Sequence, residues 1–342
     1  MKDWFYHMSK LTIPQGYRMP LSNNELQRAI ELIHEDFQRN LTLRLNLHRV
    51  SAPLFVDGRT GLNDDLNGVE RPVTFDIPDV GAEGQVVHSL AKWKRLALKR
   101  YEFPQGMGLF TDMNAIRRDE VVDNLHSIYV DQWDWEKHIG QEDRKLQYLK
   151  DTVRDIVGGL CDTASVLRNH FPALTFRPDR DVYFITTQEL EDRFPHLDPA
   201  GRETEICRKH RTVFLMQIGK TLKSGNRHDG RAPDYDDWEL NGDILMWNPV
   251  LQRSFEVSSM GIRVDAAAMD RQLTAAGCDE RRKLPFHQML LNGELPQSIG
   301  GGIGMSRVCM LLLEACHIGE VQVSLWDKET LEGCEKAGIT LL

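Results

Sequence analysis

The densest chemical signal in the chain is Ser298-Ile-Gly-Gly-Gly-Ile-Gly-Met-Ser-Arg307, followed by Val-Cys-Met-Leu-Leu-Leu. The pattern predicts a glycine-rich strand running into a buried helix. Gly300, Gly301, Gly302 and Gly304 remove side chains where something must approach the backbone closely. Arg307 falls in the first helical turn, where a planar, permanently charged fork suits a phosphate or stacking on a base. No Gly-Lys-Ser/Thr follows, so the stretch is not a P-loop. No βαβ unit follows, so it is not a dinucleotide fingerprint. Spacing alone fits a nucleotide site and a tight strand-to-helix packing point equally well. A second polar grouping lies in Leu125-His-Ser-Ile-Tyr-Val-Asp-Gln-Trp-Asp-Trp-Glu136. Strand alternation puts Gln132 and Asp134 on one face and Trp133 and Trp135 on the other. That face fits a site lining or the wet side of an antiparallel sheet. A third is the loop Gly61–Gly68, where Asp64 and Asp65 stand side by side; most such loops are simply turns.

The elements that position these groups belong to a chain of 342 residues, long enough for one large domain. With 41% hydrophobic and 27% charged residues it has the composition of an ordinary soluble protein. The net charge of −9 argues against a general binder of nucleic acid or anionic membrane. The longest apolar run, Val308 to Leu313, is too short to span a bilayer. The start, Met-Lys-Asp-Trp-Phe-Tyr, has no apolar signal-peptide core. Cysteines 161, 207, 278, 309, 316 and 334 form no CxxC pair and read as reduced, packed thiols of a cytoplasmic protein.

In chain order, residues 1–20 read as a surface arm. Ser22-Asn-Asn-Glu25 has capping-box spacing and starts a helix with Leu26, Ile30, Ile33 and Phe37 inward, ending near Asn40. A strand over 45–51 stops at Pro53, with Leu54-Phe-Val behind it. Val73–Ile77 and Gln85–His88 form a hairpin. Ser89–Tyr101 is a basic helix (Lys92, Lys94, Arg95, Lys99, Arg100), expected to show a solvated face. Gly108–Ile116 is a strand leading into Arg117-Arg-Asp-Glu120. Residues 141–170 form a long helix with an apolar stripe. Asp181–Thr186 and Val213–Gly219 are strands, with helical pieces at 189–194 and 202–209 between them. Residues 222–237 form a polar loop long enough to suggest a functional lid. Asp243–Pro249 and Ser254–Arg263 pair, and with the glycine strand they form an antiparallel floor. Helices follow at 264–276 and 285–292, and Glu320–Trp326 is a last short strand. No repeat or linker appears, which favours a single domain over 1–342.

Three blocks now stand in order. These are the first helix and strand with Val50-Ser-Ala-Pro53-Leu-Phe; Arg117-x-Asp followed by a strand through Gln132-Trp-Asp134; and the glycine strand ending in Arg307. Together they resemble motifs 1, 2 and 3 of the class II aminoacyl-tRNA synthetase fold. Five further stretches narrow the resemblance: His88-Ser-Leu-Ala-Lys-Trp-Lys-Arg95, the segment His126–Glu136, Arg227-His-Asp-Gly-Arg-Ala-Pro-Asp-Tyr-Asp-Asp-Trp238, Leu240-Asn-Gly-Asp-Ile244 and Ser258-Ser-Met-Gly-Ile-Arg263. They look like the ammonia-dependent asparagine synthetases (aspartate–ammonia ligases), from about residue 20 almost to the C-terminus. The resemblance implies an α+β fold, an antiparallel sheet flanked by helices, and a homodimer with the first motif at the subunit contact. It also implies activation of L-aspartate by ATP with Mg2+ to β-aspartyl-AMP and pyrophosphate, and displacement of AMP by ammonia to give L-asparagine. Neither nucleic acid nor membrane is an implied partner.

Under that resemblance each residue acquires a role. Carboxylate attack on the α-phosphorus concentrates negative charge and calls for a fixed cation. Arg117 fits the R-x-D pattern, with Arg118 its neighbour and rival. Arg307 stacks on adenine or holds the phosphate tail, with Gly302 beside the nucleotide. Mg2+ takes oxygen ligands and keeps several waters, so Asp243 and Glu256 on neighbouring strands are its expected holders. Ser89 and Lys94 face the α-carboxylate of aspartate, Asp134 its ammonium, and Arg263 a carboxylate or phosphate. Gln132 orients the reacting carbonyl, and Ser258 and Ser259 complete the substrate side. Asp65 binds ammonium and takes its proton; Asp64 beside it leaves the register open. Asp236 is a secondary nucleotide-site residue, and His88 and His126 read as structural hydrogen-bonders.

Rival functions leave different marks. Aspartyl- and asparaginyl-tRNA synthetases carry an anticodon-reading barrel, and motif 1 here begins within the first fifty residues. Their glycine-rich stretch after the metal-binding glutamate is replaced by Val-Ser-Ser after Glu256. A glutamine-dependent synthetase needs an N-terminal cysteine, and position 2 is lysine. An inactive paralogue would be expected to lack a motif arginine or a metal carboxylate; Arg117, Glu256 and Arg307 are all present.

Overall fold

The computed structural model describes residues 5–7, 10–64 and 70–342. In chain order the elements are β1 (Phe5–His7), β2 (Thr12–Pro14), α1 (Asn23–Leu45), β3 (Leu47–Arg49), β4 (Phe55–Asp57), β5 (Thr74–Ile77), β6 (Ala82–Val86), α2 (Ala91–Arg100), β7 (Gly108–Ile116) and β8 (Tyr129–His138). Then come α3 (Leu146–His170), β9 (Tyr183–Thr186), α4 (Thr187–Arg193), α5 (Pro199–His210), β10 (Thr212–Met216), β11 (Asp236–Asn248), β12 (Arg253–Arg263), α6 (Ala266–Ala276), α7 (Pro285–Leu291), β13 (Ser298–Gly304), α8 (Met305–Leu312) and α9 (Lys328–Ala337). The fold is α+β. Its centre is an eight-stranded sheet ordered β3-β7-β8-β13-β12-β11-β10-β9, antiparallel except for its two outermost pairs.

Alternation on β8 divides this sheet into a dry face and a wet one. Trp133 and Trp135 are fully buried; Trp133 packs on Phe37 of α1 at 4.9 Å between ring centroids. Each such ring contributes about 1.5–3 kcal/mol by leaving water. Gln132, Asp134 and Glu136 point the other way. The pairings β8–β13 and β13–β12 run without interruption through Gly300, Gly301 and Gly302, and β12 pairs onward with β11 across two register shifts. The expected floor of paired strands is therefore present.

Helix α1 begins with the predicted capping box, the Ser22 hydroxyl and Glu25 carboxylate satisfying each other's backbone N–H groups. It runs past Asn40 to Leu45, because Leu41 and Leu45 continue its buried stripe against α3 and Asn46 closes it in the left-handed region. Three expectations fail. The segment from residue 11 is no surface arm: Leu11, Ile13 and Leu21 join the main core, and Asn124 bonds both backbone groups of Thr12. Residues 320–326 form no strand. A 3-10 turn at Ile318–Glu320 leads into irregular chain and then α9, capped by Asp327 and closed by Gly338. The basic face of α2 is solvated only at its end: Lys99 and Arg100 are exposed, but Lys92, Lys94 and Arg95 are buried.

Candidate active site

The wet face of the sheet opens into a cavity of about 370 Å³. Its floor comes from β8, β13, β12 and β11, one wall from α2 and another from residues 229–236. Of the residues singled out by sequence, it brings together Asp64, Ser89, Lys94, Arg117, His126, Gln132, Asp134, Asp236, Asp243, Glu256, Ser259, Arg263, Gly302 and Arg307. Ser258 instead donates its hydroxyl to the Gly302 carbonyl at 3.0 Å, and His88 is buried with Nδ1 3.0 Å from the Asp64 carbonyl. Arg118 is exposed and outside the cavity, whereas Arg117 lines it. Asp65 lies outside the described residues.

Two groups of charges divide the cavity. The first surrounds Lys94, whose Nζ donates to the Gly301 carbonyl at 2.8 Å and sits 3.3 Å from the Asp134 carboxylate. Burial pushes the Lys94 ammonium down and the Asp134 carboxyl up, and each partner opposes the other's shift. The chain accommodates the pair because β13 has no side chains there. A methyl group on Gly302 would fall 2.3 Å from Gln132 Oε1 and 2.6 Å from Asp134 Oδ1. One on Gly300 would fall 2.0 Å from Glu136 Oε2. Behind this group, Arg263 is gripped by Glu136 (Nη2–Oε2 2.8 Å) and by Asp236. Burial alone would lower the Arg263 pKa, but the two carboxylates outweigh it and raise it. Both Arg263 and Asp236 are thereby committed within the protein, at the edge of the cavity.

The second group surrounds Glu256. Arg307 sits in the first turn of α8 with Nη1 3.3 Å from the Glu256 carboxylate and 3.1 Å from its carbonyl. Burial raises the Glu256 carboxyl, yet Arg307, Arg231, His126 and Arg117 together hold it below its usual range. Asp243, across the β11–β12 pairing, goes the opposite way: burial, with the Glu256 charge adding to it, pushes its carboxyl up to about 7 despite the bridge to Arg231. Among the described residues no carboxylate pairs with Arg117, and its buried Nε has no hydrogen-bond partner. A cationic donor left open beside a nucleotide-sized space is suited to an incoming phosphate.

Sequence reasoning missed Arg231. It reaches from the 217–235 loop to Asp243 at 2.6 Å and also to the Ser259 hydroxyl. Its signal was the motif Arg227–Trp238, quoted for its likeness without a role for this residue. The loop is strapped down elsewhere. Asp234 meets Lys92 (3.3 Å), His287 (2.9 Å) and Arg281 (3.1 Å), and His228 meets Glu203 at 2.9 Å.

Solved structures with this architecture include two asparaginyl-tRNA synthetases. One, from Entamoeba histolytica with asparaginyl-adenylate bound, is 13% identical, with a TM-score of 0.63 over 88% of this chain and 66% of that one. The other, from Pyrococcus horikoshii with the same ligand, is 12% identical, with a TM-score of 0.64 over 89% and 70%. At these identities the likeness is one of fold, that of the class II synthetases. Sequence relatives are much nearer. The aspartate–ammonia ligase of Clostridium tetani is 57% identical over 97% of this chain and 98% of its own length. That of Lactobacillus johnsonii is 56% identical over 97% and 99%. The aspartate–ammonia ligase family profile matches residues 24–338. With agreement of that kind across nearly its whole length, the chain belongs to the aspartate–ammonia ligase family.

Proposed function

We propose that this chain makes L-asparagine from L-aspartate and ammonia with ATP. The side-chain carboxylate of aspartate attacks the α-phosphorus, pyrophosphate leaves and β-aspartyl-AMP forms. Ammonia then attacks the acyl carbon, the carbon–oxygen bond to AMP breaks and a proton is released. The observation that carries this reading is the division of one cavity into two groups. The pair Lys94–Asp134 offers a cation and an anion to the two ends of a zwitterion, while Arg117 and Arg307 face the phosphate side. Gln132, on the same strand face as Asp134, is our choice to hold the reacting carbonyl. Ser89 and Ser259 supply hydroxyls on the substrate side.

Asp243 and Glu256 fit a divalent cation such as Mg2+. Both are oxygen donors, they face the cavity from paired strands, and burial together with their mutual repulsion strains the ionised form of Asp243. When bound, the ion would neutralise phosphate charge. Asp65 is the group we assign to ammonium binding and proton acceptance, with Asp64 already at the cavity wall.

A single catalytic domain acting as a homodimer in the cytoplasm completes the reading. Exposed Leu54, Phe55 and Phe75 on the small β4-β6-β5 sheet and the chain before it, with the two phenylalanine rings 4.9 Å apart, supply an apolar contact surface. Sedimentation at micromolar concentration gives twice the chain mass if this is correct. The six cysteines are free, in keeping with a reducing compartment.

The deciding assay incubates purified protein with ATP, Mg2+ and aspartate, with and without ammonium chloride, and measures AMP and asparagine. Equal, ammonia-dependent yields are expected. Absence of asparagine at every ammonium concentration would overturn the proposal. Asp65→Asn is expected to slow asparagine release more than it slows pyrophosphate formation.

A further inference from the structure

A second cavity, of about 530 Å³, lies at the end of β11 where Trp247 follows Asp243 by four residues. Arg177, Arg208 and Arg211 line it around Trp247. Arg208 and Arg211 hold their guanidinium carbons 5.5 and 5.4 Å from the Trp247 ring, which is almost completely buried. Arg208 also meets Glu205 at 2.9 Å. No carboxylate among the described residues lies within ion-pair distance of Arg177 or Arg211. Asp179 borders the cavity, but its carboxylate accepts from the Asp181 N–H at 3.0 Å.

The backbone at Arg211 is unusual. Its φ of 61° and ψ of −52° approach the strained γ-turn region, which a non-glycine residue rarely enters. Two hydrogen bonds hold it there. Arg211 N–H donates to the Cys207 carbonyl at 2.8 Å, and Trp247 N–H donates to the Arg211 carbonyl at 2.7 Å. These bonds tie the Arg211 backbone to Trp247, whose ring its guanidinium covers at the cavity. Glu205 compensates Arg208, but Arg177 and Arg211 remain like charges at one opening and repel one another unless an anion joins them. Guanidinium forks match phosphate oxygens. Because the indole is buried under two guanidinium groups, it offers no open face to a nucleobase. The ligand chemistry that remains is a compact, multiply charged phosphate.

We infer that this cavity binds a phosphate polyanion, either inorganic pyrophosphate and its longer homologues or the triphosphate tail of a nucleotide, at a site separate from the active centre. Equilibrium dialysis of labelled pyrophosphate against the full chain tests it. Two binding sites per chain are expected. Arg177→Gln with Arg211→Gln should abolish one of them, and Arg307→Ala should weaken the other. Arg177→Gln alone changes an exposed side chain with no bond among the described residues, so the fold is safe. It should weaken the second site roughly tenfold, the effect of losing one charge-assisted contact. Unlabelled ATP added to Arg307→Ala then separates the sources: displacement marks the nucleotide tail as a ligand, and retention marks the free inorganic anion. One site in the parent chain, unchanged in Arg177→Gln and in the double variant, overturns the inference.

Discussion

Arg117 is the cavity guanidinium without a carboxylate among the described residues; Arg231 and Arg307 are each held by one, and Arg263 by two. Removing an unpartnered, half-buried arginine disturbs little of the resting structure and much of the charge stabilisation needed when the α-phosphorus is attacked. Arg117→Ala is therefore expected to lower the rate of AMP formation by about 10²–10³ with an unchanged melting temperature. Arg118→Ala, at an exposed site outside the cavity, should stay within about twofold, and steady-state kinetics on both variants separates them. Lys94 and Asp134 behave oppositely. They are buried together, so Asp134→Asn strands an ammonium and is expected to cost about 3–5 kcal/mol as well as raising the KM for aspartate. Pairing Lys94→Met with Asp134→Leu should return most of that stability and none of the activity. A urea midpoint for each variant, set beside its KM, checks both halves.

At the scale of the element, β13 works by what it lacks. Its neighbours β8 and β12 lay Gln132, Asp134, Glu136 and Arg263 across it, so Gly302→Ala is expected to abolish aspartate binding while the sheet pairing survives. Isothermal titration with aspartate and a circular dichroism spectrum test this together. The strand was legible because four glycines in five positions followed by an amphipathic helix have few other solutions. The faces of β8 were legible for a similar reason, since a period of two needs only local sequence. Helix α2 was not. Its lysines and arginine look like a solvated face until their partners are known: Asp234, Asp134, and the carbonyls of Gly301, Pro296 and Val264. Those groups lie 142, 40, 207, 201 and 169 positions away in sequence. No window along the chain contains them. The missed α9 is a different matter, because Asp327, Thr330 and Gly338 are ordinary helix-end signals that the apparent strand at 320–326 obscured.

At the scale of the whole molecule, one acid-sensitive group sits where the segment at 12–17 packs on the segment at 316–326. His317 is fully buried beside Trp326, and its Nδ1 accepts from the Gly319 N–H at 3.0 Å. Burial lowers its pKa to about 4. Below the unfolded value near 6.5 the unfolded chain takes up a proton that the folded chain refuses until about pH 4, so stability falls as pH drops through that window. The loss from this residue alone reaches up to about 3 kcal/mol. His317→Asn is expected to flatten the pH dependence of the melting temperature between pH 6.5 and 4 relative to the parent chain.

The same junction reaches the candidate site. Asn124 bonds Thr12 on one side and the Cys316 carbonyl on the other, Tyr17 reaches Glu320, and two residues beyond Asn124 His126 lines the cavity. The loop that carries His126 is thus clasped between two segments far apart in sequence, one at Thr12 and one at Cys316. A change at Cys316 or Glu320, neither of which lines the cavity, is therefore felt at His126 through Asn124.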